Sequence, residues 1–312
     1  MYSPFRKKIF LADAIDRYLV MVEANSLYSS RTIEKYRESS VHLLRLMGNV
    51  DIRTLNDESV SELKQKMSQI KPRPPGPSRK NSMLVVLKNI LKQLRGSGED
   101  VCDPSRIKLF KIPAKDVQFL RKEQIRLIAN ATNPGTITGL RLRAIILALF
   151  STGCRISELL SLDREQFEED SGIVRNVRTK GGKTNSIIFN DASRRAIRKY
   201  LDRRKDSCAA LFATTHTDVP KRLQVNDVER SLRNLGKKLG LQVNLRPHLL
   251  RKSAATHMFR EGVPLGVISK FLGHANSQVT MKYYLGQMDL EDVQKNHARV
   301  MDIDFDEEPD TS

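Results

Sequence analysis

The run LRLRAIILALFSTG, residues 140–153, sets the strongest constraint on how this chain can fold. It reads as a helix, and apolar side chains take up so much of its circumference that no face can rest in water. It must therefore lie at the centre of a core, with other elements wrapped around it. The neighbouring segments supply them. LRKEQIRLIANA, just before it, is helical, and SGIVRNVRTKGGKTNSIIF, after it, reads as two short β-runs around Gly181 and Gly182, a hairpin signal. From there to about residue 300 the pattern is helical again. This half of the chain reads as a mainly α domain with a small β-sheet.

At 312 residues the chain is long enough for two domains, each with its own core. Near the N-terminus, Leu11, Ile15, Tyr18, Leu19 and Val22 recur at a helical period. A second helix follows in SSRTIEKYRESSVHLLRLMG, with Ser29 or Ser30 as cap, Ile33, Tyr36, Val41, Leu44, Leu46 and Met47 on its apolar side, and Gly48 as stop. DESVSELKQKMSQI is a third and SMLVVLKNILKQLR a fourth. Between those two, KPRPPGPSRKNS reads as a Pro/Gly loop that cannot be helical, carrying Lys71, Arg73, Arg79 and Lys80. The expected division is a helical domain over 1–100, a connection over 101–116, the mixed domain over 117–300 and an acidic tail over 301–312.

Charge points to a partner. Lys and Arg number 54 against 36 Asp and Glu, a net charge of +18. An excess of that size repels itself unless a polyanion neutralises it, and nucleic acid is the leading candidate. The six acids after Met301 (Asp302, Asp304, Asp306, Glu307, Glu308 and Asp310) have no base among them, so the remainder is more basic still. They read as a solvated tail or as a screen over the basic surface. The three cysteines, Cys102, Cys154 and Cys208, form no CxxC pair and indicate neither a disulfide framework nor a zinc site. A reducing cytosol is the expected setting, with no membrane span in the sequence.

Four separated pieces of the second domain carry polar residues of interest. In STGCRISELLSL, Arg155 follows a Thr-Gly turn and opens an amphipathic helix; such an arginine is a surface residue, half of an ion pair, or functional. In TKGGK, Lys180 and Lys183 are ordinary solvated turn residues unless something calls on them. In RPHLLRKSAATH, Pro247 starts a helix and the three-residue spacing of His248 and Arg251 puts both on one face, where they can engage one anion or merely adorn an exposed turn. The fourth is FLGHANSQVTMKYYLG, with His274 just past Gly273 and Tyr283 nine residues on. Two arginines, two histidines, a lysine and a tyrosine, with no carboxylate cluster, suit phosphoryl transfer without a metal ion or other cofactor. Guanidiniums grip phosphate oxygens in pairs, and cations nearby favour phenolate over phenol.

Here the chain resembles the tyrosine recombinase (phage integrase) family. GLRLRAIILALFSTGCRISELLSL, VRTKGGKTNSIIF, PHLLRKSAATHMFREGVPLGVISKFLGH and the tyrosine nine residues on are similar to it in order and spacing, over residues 118–290 or so. Residues 9–95 resemble, more weakly, the helical core-binding domain that precedes the catalytic domain in the family. The resemblance implies that Arg155 and Arg251 clamp the scissile phosphate of double-stranded DNA, with His248 between them as proton acceptor. It implies Lys180 as general acid for the 5′ hydroxyl, with Lys183 as the other claimant, His274 as a phosphate contact, and Tyr283 as the nucleophile that forms a 3′-phosphotyrosyl bond.

Adjacent helical residues point about 100° apart, so Tyr284 cannot share that phosphate and is read as packing. The family also implies a homotetramer, or a heterotetramer with a second recombinase, synapsed on two DNA sites and working through a Holliday junction. The C-terminal helix after His274 would pack on its own domain or on a neighbouring subunit, and Lys71, Arg73, Arg79 and Lys80 would contact phosphates. Lys252 stands where many relatives have histidine. Two other readings are a non-cleaving DNA-binding regulator derived from the family and a nicking-closing enzyme of the type IB topoisomerase kind. Retention of all six catalytic positions argues against the first, the short length and N-terminal domain against the second.

Overall fold

The computed structural model describes residues 7–25, 28–113, 118–168, 170–178, 184–215, 218–273 and 294. The chain divides into two compact units, Met1–Lys115 and Asp116–Ser312. Among the described residues no helix is long and apolar enough to cross a membrane.

The first unit holds α1 (Leu11–Ala24), α2 (Ser30–Met47), α3 (Asp57–Gln69) and α4 (Pro77–Gly96). Leu11, Leu43, Ile52, Leu63, Met67, Leu84, Leu87 and Ile90 are wholly buried in its core. Two expectations change here. On α2, Val41 is 67% exposed and Leu43 fully buried, so the apolar face is rotated from the one inferred. Val41 belongs to a run with Leu43 and Leu44 that offers two apolar stripes, and packing against α1 and α4 selects between them. In KPRPPGPSRKNS the prolines do not keep the whole run out of a helix. Gly76 is the N-cap and Pro77 occupies the first turn of α4, where a missing N–H costs nothing, so Arg79 and Lys80 are helical. The segment read as a connection also contributes to this core. Val101 and Ile107 are buried, and the Asn81 side chain donates to the carbonyl of Phe110 (2.9 Å) and accepts from its N–H (2.8 Å).

The second unit is built on α6 (Ile137–Thr152), which has α5 (Lys122–Asn130), α7 (Ile156–Ser161), α8 (Asp191–Asp202), α9 (Val225–Lys238) and α10 (Pro247–Arg260) packed around it. Ala144, Ile145, Ile146, Ala148 and Leu149 on α6 are almost fully buried, as an all-round apolar helix requires. α11 (Leu265–Leu272) follows α10 and packs on it. β1 (Ile173–Arg178) and β2 (Thr184–Ile188) form an antiparallel pair in the register Val174–Ile187 and Arg178–Thr184. An irregularity between Val174 and Val177 is absorbed by Asn176, whose φ is 57°, a left-handed conformation that asparagine tolerates. The mainly α fold with a small two-stranded sheet is thus as expected.

Candidate active site

The end of α6 sets up the site. Gly153 caps it in the left-handed conformation (φ 56°), and a Cβ there would run into the Phe271 ring of α11. The chain then turns through buried Cys154 into Arg155, the N-cap of α7. Arg155 is an ion-paired residue: its Nη1 donates to Glu158 Oε1 (2.7 Å) and its backbone N–H to Glu158 Oε2 (2.8 Å). Glu158 is 5% exposed, so one buried carboxylate both caps the helix and aims the guanidinium. This residue was missed from the sequence, although its place three residues after a helix-opening position is the signal for such a reach-back. Burial pushes the Cys154 thiol up to about 12, which makes it an inert packing group.

Arg251 lies in α10 and is 5% exposed. Its Nη1 donates to the carbonyl of Gly153 and its Nη2 to that of Leu272, both at 2.7 Å. One guanidinium therefore joins the end of α6 to the end of α11. Gly273, which caps α11 at φ 59°, lies against β2: a Cβ there would be 2.8 Å from Asn185 Nδ2. The stem of the hairpin and the end of α11 are consequently neighbours.

His248, one turn before Arg251, is exposed yet surrounded by cations. Desolvation, then the charges of Arg246, Arg251, Lys252 and Arg155, hold its pKa below the ordinary histidine value, so at neutral pH the imidazole is uncharged and able to accept a proton. Lys252 is half-buried, and desolvation followed by the Arg246 charge lowers its pKa as well. Side chains on a helix lean toward its N-terminus, which directs Lys252 toward His248 four residues earlier. Arg246 was another residue the sequence did not flag; nothing but its place before Pro247 marks it.

Arg155, His248 and Arg251 are therefore brought together. Lys180, Lys183, His274, Tyr283 and Tyr284 lie outside the described residues, as do the acidic tail and, Gln294 apart, the segment expected as a C-terminal helix. Among the described residues, no group of three or more His, Cys, Asp or Glu side chains could hold a metal ion. In the first unit, Lys71, Arg73 and Arg79 line one pocket. Lys80 is turned to its own unit, with Nζ 2.9 Å from Ser68 Oγ and 4.9 Å from the Phe110 ring centre.

Two guanidiniums beside an uncharged imidazole form a set of groups suited to binding a phosphodiester. Residues 118–289 match the Phage integrase family, and the chain belongs to that family, the tyrosine recombinases. It is similar to tyrosine recombinase XerA of Pyrococcus furiosus, at 33% identity over 181 residues, 58% of this chain and 62% of the relative. XerA of Pyrococcus horikoshii is 33% identical over 204 residues, 65% of this chain and 68% of the relative. The match to the first of these spans less than two thirds of the relative's length. The fold agrees with that of the Tn1549 transposon integrase in complex with transposon right end DNA, with a TM-score of 0.77 at 16% identity over 93% of this chain and 99% of the other.

Proposed function

We propose that the chain is a site-specific DNA recombinase that cuts and rejoins duplex DNA through a covalent phosphotyrosyl link. The observation that carries this is the convergence of Arg155, His248 and Arg251, with Arg155 aimed by a buried glutamate and His248 kept uncharged by its cationic surroundings. Arg155 and Arg251 bind the non-bridging oxygens of the scissile phosphate and offset the charge that builds there in the transition state. His248 takes the phenol proton as the Tyr283 oxygen attacks phosphorus. The bond from phosphorus to the 5′ oxygen breaks, and Lys180 gives that oxygen a proton, leaving a 5′ hydroxyl and a 3′-phosphotyrosine.

Attack by the 5′ hydroxyl of another strand reverses the step, so the energy of the diester is kept in the protein link. Repeated on a second strand pair, within four protomers on two DNA sites, this passes through a Holliday junction. His274 adds a phosphate contact. The neighbouring stems of the hairpin and of α11 support bringing Lys180 and His274 to the same patch.

A nicked suicide substrate carrying the recombination site tests the reading, because loss of the short 5′ fragment traps the covalent adduct. Wild type and Tyr284→Phe should accumulate adduct and Tyr283→Phe none. Absence of adduct with the wild type would instead favour a non-cleaving DNA-binding protein, and relaxation of supercoiled DNA lacking any site would favour a topoisomerase.

A further inference from the structure

The first unit contains a pocket of about 470 Å³ between α2 and the start of α4. Its less exposed lining is mostly apolar, from Leu46, Ile70, Pro75 and Met83 with His42 beside them; Arg45, Lys71, Arg73 and Arg79 stand exposed around it. Elsewhere in this unit Arg37, Arg53, Arg95 and Arg106 each hold a carboxylate. Among the described residues, the four pocket cations hold none. A cluster of unneutralised cations over an apolar floor is a site for an anion that also brings apolar surface. A bare phosphate has no use for the floor, whereas a nucleic-acid groove sets phosphates beside base edges that include apolar atoms such as the thymine methyl.

Arg79 differs from the other three. It lies in the first turn of α4, and its Nη2 is 3.3 Å from Nε2 of His42 on α2. A guanidinium only donates, so in this contact the imidazole nitrogen is the acceptor. Two helices thereby hold one planar fork in place. Phosphate contacts need charge and tolerate motion, but reading a base requires a fork held in register, and an arginine fork matches O6 and N7 of guanine in the major groove. An exposed first helical turn is also the part of a helix that reaches base edges in groove-reading proteins.

We propose that Arg79, oriented by His42, is a sequence-reading residue that engages a guanine in the major groove of the recombination site, with Lys71 and Arg73 on the flanking phosphates. This rests on the recombinase reading above. His42 is a positioning residue: it touches Arg79, not the base.

Selection of binding sites from a randomised duplex library with the full chain tests it, read by sequencing and followed by affinity measurements over a range of salt. The wild type should enrich a motif in which Arg79→Ala loses one guanine and keeps the rest, at a cost of roughly 5- to 150-fold for the selected site. Arg79→Lys should lose the same guanine because lysine has no fork. His42→Ala should weaken preference at that position, and His42→Gln, whose amide oxygen can accept from Arg79, should retain it. An Arg79→Ala protein that keeps the whole motif overturns the inference. So does one that binds all sequences more weakly with a salt slope lower by about one, the signature of a phosphate contact. A wild type that enriches no motif would overturn the underlying reading of sequence-specific binding, a result separable from either. Arg79 is exposed, and an unchanged melting temperature will show that its variants fold.

Discussion

His248 shows how much of this site is electrostatic. In the proposed reaction its imidazole accepts a phenol proton and so must be uncharged, and after desolvation the first of the charges that keep it so is Arg246. Because its pKa is depressed, cleavage should persist below the ordinary histidine value and fall only as pH drops through the lowered one. Arg246→Gln removes a positive charge, raises the His248 pKa toward its ordinary value and should move the acid limb of the cleavage profile to higher pH. Arg246→Lys keeps the charge and should leave the limb in place, as read from single-turnover adduct formation against pH. Arg155, His248 and Arg251 were legible in the sequence only through the family resemblance, because spacing by itself left Arg155 a surface or ion-pair residue and the His248 and Arg251 pair an exposed turn. Glu158 and Arg246 were not, since an acid inside a short helix and a base before a proline look like surface residues until the chain folds around them.

Among the elements, α10 holds the site from both sides. One side carries His248 and Arg251, the pair proposed to engage the phosphate. Its other side fastens the first described segment of the second unit: Leu120 N–H donates to Ser253 Oγ (2.8 Å), His257 Nε2 donates to the Leu120 carbonyl (2.9 Å), and the Arg260 guanidinium lies 4.7 Å from the Phe119 ring centre. Ser253 is fully buried, and its own hydroxyl donates to Leu249. Ser253→Ala leaves the Leu120 N–H buried without its acceptor, and denaturant unfolding should report a loss of about 1–3 kcal/mol. No period announces such a contact, because it joins residues 133 positions apart. The apolar run that became α6 was legible because burial alone decides it, and the two short runs that became β1 and β2 because Gly181 and Gly182 mark a hairpin between them. The start of α4 and the buried face of α2 were not, because one depends on where a proline falls in a helical turn and the other on which of two apolar stripes finds a partner.

For the molecule as a whole, net charge overstates the surface available to DNA. Arg204 has a side chain with no exposure and binds the carbonyls of Ala210 and Leu211 as well as Asp206. Arg222 donates to Leu160 and Leu162, and Arg141 to Ala213. These cations close loops of the second unit, a use that composition does not distinguish from nucleic-acid binding. Arg204→Met should cost about 1–3 kcal/mol in stability, because the buried Ala210 and Leu211 carbonyls lose their donor while Asp206 keeps Arg164 and the Cys208 N–H, with little change in the salt slope of DNA binding. Lys71→Ala should do the reverse, lowering the slope by about one and leaving the melting temperature alone.

Arg251 belongs to both groups. Because it rivets the ends of α6 and α11 through the Gly153 and Leu272 carbonyls, selection for folding alone would retain it in a descendant that had stopped cutting DNA. An arginine at this position is therefore accounted for by the architecture alone, whatever a chain of this fold does with DNA.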